Sequence, residues 1–179
     1  MPVLPLHLLG SPVLRERSAE VARVDDKVRK FIDEMFETMD ANKGVGLAAN
    51  QVGVATRVAV VDADDKRIAL VNPRIVTTGG PVVAEEEGCL SIPEIFADVK
   101  RPTEITVEAL DRDGKPFTIS ANGLLARAIQ HEVDHLDGIL FIDHLGPMKR
   151  TLMLRKYKRE NPDAGIVQKA PTEPAPAEK

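Results

Sequence analysis

The sequence predicts an α+β fold, a single domain with antiparallel or mixed sheets around a central helix and a further helix near the C-terminus. Three observations favour this class. Apolar residues recur at helical spacing in separate segments, short β-branched runs bounded by turn residues lie between them, and the two kinds of segment do not alternate regularly. The length of 179 residues suits one domain. The composition is 43% hydrophobic but only 3% aromatic, which predicts an aliphatic core.

The first helix is predicted over residues 25–41, after an irregular arm formed by residues 1–24. Asp25 can cap the first turn of this helix, and Asn42 and Gly44 can end it. The apolar residues that recur at helical spacing, and are therefore predicted to face the core, are Val28, Phe31, Ile32, Met35, Phe36 and Met39.

Five strands are predicted between the first two helices, from short apolar runs that end at turn residues. Because proline cannot donate a hydrogen bond to a sheet, we expect Pro73 at a sheet edge or a strand end. Residues 79–81, with the sequence GGP, predict a turn, and residues 111–114 predict a hairpin. The predicted strands are residues 57–62, 68–72, 82–91, 104–109 and 116–121.

The C-terminal part of the chain predicts two helices and a tail. One helix extends from about residue 122 to 137 and ends before Gly138, and a short apolar run follows at residues 139–142. Pro147 can begin the last helix, which extends to about residue 160. Residues 161–179 hold four prolines among alanine, glutamate and lysine, so this tail is predicted to be disordered. The domain is therefore expected to comprise residues 1–160.

Charge is distributed unevenly along the chain, whose net charge is −4. Residues 147–160 carry six basic side chains against one acidic side chain, so the last predicted helix is basic although the rest of the chain is acidic. Two interpretations remain open at this point. The basic residues form either the solvated face of an amphipathic helix or a surface for a polyanionic partner.

The single cysteine, Cys89, excludes an internal disulfide and is compatible with a reducing compartment. The first ten residues, MPVLPLHLLG, lack a basic segment and contain prolines that interrupt an apolar helix, so no signal peptide is predicted. No run approaches the roughly 18 apolar residues that a membrane span requires. We therefore expect a cytoplasmic protein that makes no contact with a membrane.

Residues 131–135, with the sequence HEVDH, are the strongest local signal for chemistry. Residues four apart share one face of a helix, so His131 and His135 can bind one metal ion. Glu132 lies beside them and can act as a general base toward a water molecule at that ion. Chance pairing is a weak alternative, because the chain has only four histidines.

A catalytic metal centre needs a third protein ligand. In one class of metalloprotease the pattern continues as HExxHxxGxxH; Gly138 fits it, but Phe141 stands where the third histidine belongs. His144 is predicted to be a loop residue and His7 a structural or exposed one. Cys89 is the only soft ligand available, although a lone cysteine in a strand is more often a small buried apolar residue.

A third segment, residues 44–51 with the sequence GVGLAANQ, combines two glycines with an amide side chain. The glycines permit backbone conformations that other residues rarely adopt. Gln51 can donate an amide N–H to a developing oxyanion. Without further context, the glycines are weak evidence, because helix ends also use glycine, and an exposed loop amide is the favoured interpretation of Gln51.

Together the three segments resemble the peptide deformylase family, whose motifs are a GxGLAAxQ box, an EGCLS box and an HExDH box in this order. Residues 44–51, 87–91 and 131–135 match these motifs without a mismatch. The resemblance extends over roughly residues 5–160 and is to the bacterial type with a C-terminal helix.

The resemblance implies a site and a reaction. A divalent metal would be held by Cys89, His131 and His135, with a water molecule in the open position. The usual ion of the family is Fe(II), while Zn, Ni or Co can replace it, and a thiolate with two imidazoles suits all of these. Glu132 would transfer the proton. The products would be formate and a free N-terminal amine.

The resemblance also implies how an N-formylmethionyl peptide would bind. The Gln51 amide and the Leu90 backbone N–H would hold the oxyanion, and Gly46 would pair with the peptide backbone. We further expect Glu87 to be buried against Arg101. The methionyl side chain would occupy an apolar slot formed by Val45, Leu124, Ala128 and the aliphatic stem of Arg127.

Two alternatives belong to other functional classes. One is a metallopeptidase that uses the same HExxH motif on unformylated substrates. The other is a ribosome- or nucleic-acid-binding module with a structural metal, which the basic residues 147–160 motivate. A deformylase acting on nascent chains could itself contact the ribosome through that helix. No specific DNA binding is expected.

Overall fold

The computed structural model describes residues 3–162 and 165–168. Within these described residues, seven strands and three α-helices follow one another in the order β1, α1, β2 to β6, α2, α3, β7. The strands are β1 (Leu6–His7), β2 (Gly46–Ala48), β3 (Val58–Ala63), β4 (Lys66–Cys89), β5 (Ile92–Leu110), β6 (Pro116–Asn122) and β7 (Val167–Gln168). The helices are α1 (Asp26–Ala41), α2 (Gly123–Leu136) and α3 (Pro147–Glu160), and short 3-10 helices cover Pro12–Arg15, Ala49–Val52 and Phe141–His144.

Strands β2 to β6 form one five-stranded antiparallel sheet in sequence order, and β1 pairs with β7 in a separate two-stranded sheet. The predicted α+β class is therefore confirmed, with antiparallel pairing in both sheets. Among the described residues, no helix has the length and apolar character that a membrane span requires.

The boundaries predicted for the helices agree closely with the structure. Asp25 caps α1, since its Oδ1 accepts a hydrogen bond from the backbone N–H of Val28 at 3.0 Å. Pro147 begins α3, and α2 ends before Gly138. Gly138 has a φ of 75°, and an added Cβ would lie 2.7 Å from the backbone oxygen of Arg15, so this position requires glycine.

The predicted strand limits around Pro73 and the GGP sequence are wrong. One strand, β4, extends through both places, where two separate strands and a turn had been predicted. The register of β4 against β5 shifts between Val71 and Arg74 and again between Gly79 and Val82. These bulges leave a residue unpaired, which accommodates a proline that has no N–H to donate. β5 likewise begins at Ile92, well before the predicted residue 104.

The prediction of a disordered tail is wrong for the short strand β7, where Val167 pairs with His7 and Gln168 with Leu6. Proline-rich composition predicts poor burial, but it does not exclude a two-residue pairing with an available strand edge. The remaining tail residues 163, 164 and 169–179 lie outside the described part of the chain.

Helix α2 lies in the interior of the domain and positions the site. Its apolar face packs on β3, β5 and β6 through Leu125, Ala126, Ile129 and Val133. The same helix also buries charged and polar side chains, which a helix in an ordinary aliphatic core would not do without partners. These buried polar residues are Arg127, Gln130, Glu132 and His135.

Candidate active site

A cleft of about 530 Å³ opens between α2, the loop before β2 and the turn between β4 and β5. All of the residues predicted to form the site line this cleft except His135, which is 1% exposed and lies behind it. The three motif segments, far apart in sequence, therefore meet in one place.

Cys89, His131 and His135 bring their ligand atoms together at the floor of the cleft. Cys89 Sγ lies 3.2 Å from His135 Nε2, which lies 3.2 Å from His131 Nε2, and all three atoms are within 4.8 Å of one another. Donors around one tetrahedral ion, with bonds of about 2.0–2.3 Å, would be roughly 3.3–3.6 Å apart. The three side chains thus fit a single metal ion with little adjustment.

Glu87 fixes the orientation of the His131 ring. Its Oε1 accepts a hydrogen bond from His131 Nδ1 at 2.9 Å, which leaves His131 Nε2 facing Cys89 and His135. Burial acts to raise the pKa of Glu87, but hydrogen bonds from His131 and Arg101 lower this pKa to about 2. The carboxylate is therefore charged throughout the physiological range.

The electrostatics around the two histidines also fit a cation. Burial, followed by the nearby charge of His131, holds the pKa of His135 well below its usual range, so this imidazole offers a lone pair. Burial opposes a charge on His131, yet Cys89 and Glu87 raise its pKa well above the usual value. The space beside Cys89 and Glu87 accordingly favours positive charge, which a metal ion would supply.

Two arginines hold Glu87 in place, of which sequence reasoning found one. Arg101 donates to Oε2 at 2.6 Å and to Oε1 at 3.0 Å, as predicted. Arg127 also donates to Oε2, at 2.6 Å, and to the backbone oxygens of Val83 and Val99 at 2.9 Å each. Arg127 was predicted only as an apolar wall through its stem. Its position on the cleft agrees with that prediction, but its guanidinium group binds Glu87 and two backbone oxygens.

The other two histidines lie outside the ligand cluster. His144 Nε2 lies 2.8 Å from Asp134 Oδ2, and Arg101 Nη1 donates to the same oxygen at 2.9 Å. His7 Nδ1 lies 2.7 Å from Ser11 Oγ, in the N-terminal arm. The position of His7 agrees with the structural role predicted for it, whereas His144, predicted to be a loop residue, is the last residue of the 3-10 helix Phe141–His144.

Glu132 lies beside the ligand cluster with its carboxylate against Gly46. The side chain is 4% exposed, and Oε2 has no hydrogen-bond partner among the described residues. Burial raises the pKa of Glu132 to about 7, against the lowering effect of His131. A carboxyl group with this pKa can both accept and release a proton near neutral pH.

Gln51 points its amide nitrogen toward the same place. Its Oε1 accepts a hydrogen bond from the Ala48 backbone N–H at 2.9 Å, which fixes the orientation of the amide. Nε2 then lies 3.1 Å from Ser91 Oγ and 3.5 Å from Cys89 Sγ. Leu90 is half-buried and lines the cleft next to Cys89. The donors predicted for an oxyanion are therefore adjacent to the ligand cluster.

Apolar side chains line the mouth of the cleft. Val45 and Leu124 are each 47% exposed, while Ala128 and Gly46 are buried deeper. Phe96, which sequence reasoning missed, is 56% exposed and also lines the cleft. Its ring lies against Gly88, where an added Cβ would be 2.6 Å from a ring carbon. Gly88 is the glycine of the EGCLS segment, and its presence in the sequence could have indicated this close approach.

Asn50 and Ser91 are two further polar residues that sequence reasoning did not single out. Asn50 is fully buried, and its Nδ2 donates to the backbone oxygen of His135. Ser91 is also fully buried and accepts from Gln51. Asn50 lies in residues 44–51 and Ser91 in residues 87–91, so their positions inside the motif segments could have identified them from the sequence.

An α+β domain that brings an HExxH helix, a strand cysteine and a glutamine to one cleft has the groups that a hydrolase uses. The family model described as polypeptide deformylase matches residues 3–151. The chain therefore belongs to the polypeptide deformylase family.

Individual relatives match this chain over most of their length. A peptide deformylase of Hydrogenovibrio crunogenus is 50% identical over 163 residues, which cover 89% of this chain and 96% of the relative. A peptide deformylase of Syntrophobacter fumaroxidans is 47% identical over 169 residues, covering 92% and 99%. The crystal structure of peptide deformylase from Ehrlichia chaffeensis in complex with actinonin has a TM-score of 0.86 at 40% identity, covering 89% of this chain and 98% of that one.

Proposed function

We propose that this chain hydrolyses the formamide of N-formylmethionyl peptides of nascent proteins, which releases formate and leaves a free N-terminal amine. The observation that carries the proposal is the convergence of Cys89, His131 and His135 beside the buried carboxylate of Glu132. Membership of the polypeptide deformylase family and the geometry of the cleft both support this reaction.

The proposed cofactor is one divalent metal ion, held by Cys89 Sγ, His131 Nε2 and His135 Nε2. One thiolate and two imidazoles suit Fe(II), which we propose as the native ion, and also Zn, Ni and Co. When bound, the ion supplies Lewis-acid activation of water and of the formyl carbonyl.

Glu132 carries the proton in the proposed mechanism. Its carboxylate takes a proton from the attacking water, and the oxygen of that water adds to the formyl carbon. Glu132 then returns the proton to the departing nitrogen, and the bond between carbon and nitrogen breaks. The pKa of about 7 for Glu132 allows both transfers near neutral pH.

The oxygen of the formyl group gains negative charge during this step. Gln51 Nε2, oriented by the Ala48 backbone, and the backbone N–H of Leu90 are the proposed donors to that oxygen. Losing one donor of this kind typically lowers the rate by about 10² to 10³. Because Gln51 is buried and fixed in orientation, no reorganisation of this donor is needed in the transition state.

The methionyl side chain is proposed to occupy the apolar part of the cleft between Val45, Leu124, Ala128 and the stem of Arg127, with Phe96 at its outer end. Gly46 lies on β2, which is an edge strand of the five-stranded sheet. An extended peptide can therefore pair with this edge and bring its first residue to the cleft floor.

Replacing Glu132 by glutamine tests the proposal. The substitution keeps the shape of the side chain and removes the base, so turnover of formyl-Met-Ala-Ser should fall by about 10³ while the metal stays bound. Formate release and metal content are the measurements. Glu108→Gln, which changes an exposed strand residue paired with Arg74, should leave both unchanged. Full turnover by Glu132→Gln would remove the assigned base.

A metallopeptidase is the competing enzyme, and cleavage of internal bonds in unformylated peptides would favour it. The described residues show a Cys–His–His set at the HExxH helix, with no third histidine or carboxylate among the ligand atoms. The same formate-release assay, run beside an internal-cleavage assay, separates the two activities.

We further propose that α3 docks on the ribosome and that the protein acts in the cytoplasm. Four basic residues of α3 are exposed, and Met148 and Leu152 add exposed apolar surface on the same helix at 80% and 52% exposure. Ribosomal RNA would attract such a surface electrostatically. The exposed basic residues are Lys149, Arg155, Lys158 and Arg159.

Neutralising these four residues to glutamine should weaken ribosome co-sedimentation at low salt and leave formate release intact. A matched variant with Arg17, Arg23, Lys27 and Lys30 changed to glutamine has the same net charge and alters other exposed sites. Equal loss of binding in both variants would show a non-specific charge effect and contradict docking through α3.

A further inference from the structure

The short strand β7 brings the end of the described chain back to the active-site cleft. After α3, residues 165–168 return to the N-terminal arm, where Val167 pairs with His7 and Gln168 pairs with Leu6. The matching family model ends at residue 151, so β7 lies outside the part of the chain that the model describes.

Two hydrogen bonds of the N-terminal arm connect the residue before β7 to the active-site segment. The backbone N–H of Leu8 donates to the oxygen of Ile166 at 2.7 Å. The neighbouring backbone N–H of Leu9 donates to the oxygen of Ser91 at 2.9 Å. Ser91 in turn accepts from Gln51, beside the ligand cluster. β7 is thus attached to the same piece of backbone that supports the EGCLS segment.

The paired residues Leu6 and Gln168 both line the cleft. Leu6 is buried at 3% exposure, whereas Gln168 is exposed on this side. Successive side chains of a strand point to opposite faces, so Val167, which does not line the cleft, faces the other way.

We propose that Gln168 forms an outer wall of the substrate cleft and hydrogen-bonds to the peptide beyond its formyl-methionine. A primary amide offers two donor hydrogens and an acceptor oxygen, so it can bind the N–H or C=O of an extended peptide whatever its side chains. A recognition group of this kind suits an enzyme whose substrates differ after the first residue. The proposal rests on the proposed deformylase function and identifies where the later substrate residues lie.

The test compares a short and a long substrate in the full-length, metal-loaded protein. Gln168→Ala should raise KM for formyl-Met followed by five alanine or serine residues by about 3- to 10-fold, the usual effect of one lost hydrogen bond. The kcat for this peptide, and all constants for formyl-Met-Ala, should stay within about 2-fold of wild type. Val167→Ala, on the opposite face of β7, is the matched control and should leave KM and kcat unchanged for both substrates.

Distinct outcomes separate this proposal from the deformylase assignment. An unchanged KM for the long peptide, or equal changes for both peptides, would overturn the role of Gln168. The same loss in Val167→Ala would also overturn it, because the effect would then come from the strand rather than from the amide. Failure of the wild-type protein to release formate from either peptide would instead contradict the deformylase function.

Discussion

At the residue scale, Gly46 determines where Glu132 can lie. A Cβ built at Gly46 would be 2.6 Å from Glu132 Oε1 and 3.0 Å from its Cγ and Cδ. Because Glu132 is buried, its side chain cannot move freely to make room. The glycine is therefore required by the close approach of the Glu132 carboxylate, which gives a physical reason for the second glycine of the GxG sequence.

Gly46→Ala should accordingly reduce kcat for formyl-Met-Ala-Ser by at least about 10-fold, since a displaced base loses its geometry for proton transfer. The three residues that could hold a metal ion are untouched, so metal content should be retained. Gly146→Ala is the matched control, because an added Cβ there meets nothing within 4 Å. An active Gly46→Ala variant would show that Glu132 can work from another position.

The two arginines on Glu87 illustrate how a buried ionic group is stabilised. Removing one partner of a buried charge leaves the other uncompensated and is strongly unfavourable. Glu87 is satisfied by Arg101, Arg127 and His131, all of which are themselves largely buried. The cluster thereby holds His131 in the orientation that a metal ligand needs.

At the element scale, the 3-10 helix Phe141–His144 connects α2 to α3 and is held by Asp143. Its carboxylate accepts from the Leu140 backbone N–H, which caps the helix, and from the Arg15 and Arg150 side chains. Arg15 belongs to the N-terminal arm, so one carboxylate connects three segments. Partial burial acts to raise the pKa of Asp143, but Arg15 and Leu140 lower it below 3.8.

This lowered pKa predicts a pH dependence of stability. A carboxyl group with a lower pKa in the folded state stabilises the protein above its unfolded pKa, near 3.8. That contribution is lost as the pH falls through the folded value. Asp143→Asn should therefore reduce the free energy of unfolding by about 1 kcal/mol at pH 6, a modest value because solvent and salt screen the partly exposed arginines.

Denaturant unfolding of the two proteins at several pH values between 6 and 3 measures this effect. The difference between wild type and Asp143→Asn should shrink steadily below about pH 4. A difference that stays constant over this range would mean that the ionised carboxylate is not the source of the stabilisation.

At the scale of the whole molecule, α2 packs in one of the apolar clusters and also carries two of the three residues that could hold a metal ion. Its apolar residues join β3, β5 and β6 in one cluster, while His131 and His135 meet Cys89 of β4. A metal ion bound there would link α2 to the end of β4. Binding that occurs only in the folded state stabilises that state, by about 4 kcal/mol when the free metal is at 1,000 times its Kd.

Removing the metal with a chelator should therefore lower Tm by roughly 10 °C for a chain of this length. Differential scanning calorimetry before and after re-addition of Fe(II) or Zn gives the measurement. His144→Ala should keep the shift, because His144 lies outside the ligand cluster. His135→Ala should lose it, and equal Tm values for metal-loaded and stripped wild-type protein would contradict a metal at this site.

The sequence by itself determined the features that depend on neighbouring residues. The spacing of His131 and His135, the caps of α1 and the proline that begins α3 each act over a few residues, and all were predicted. The α+β class followed from the same local periodicities. The association of the three motifs could also be predicted, although only through their resemblance to a family.

Tertiary structure decided which further distant groups meet. Arg127 binds Glu87 across 40 residues, Phe96 covers Gly88 from the facing strand, and Gln168 reaches the cleft by pairing with Leu6. Pro73 lies inside a strand because a bulge there removes the need for its hydrogen bond. These contacts depend on how sheet register and helix packing place whole elements. Residue type and spacing along the chain do not by themselves predict that placement.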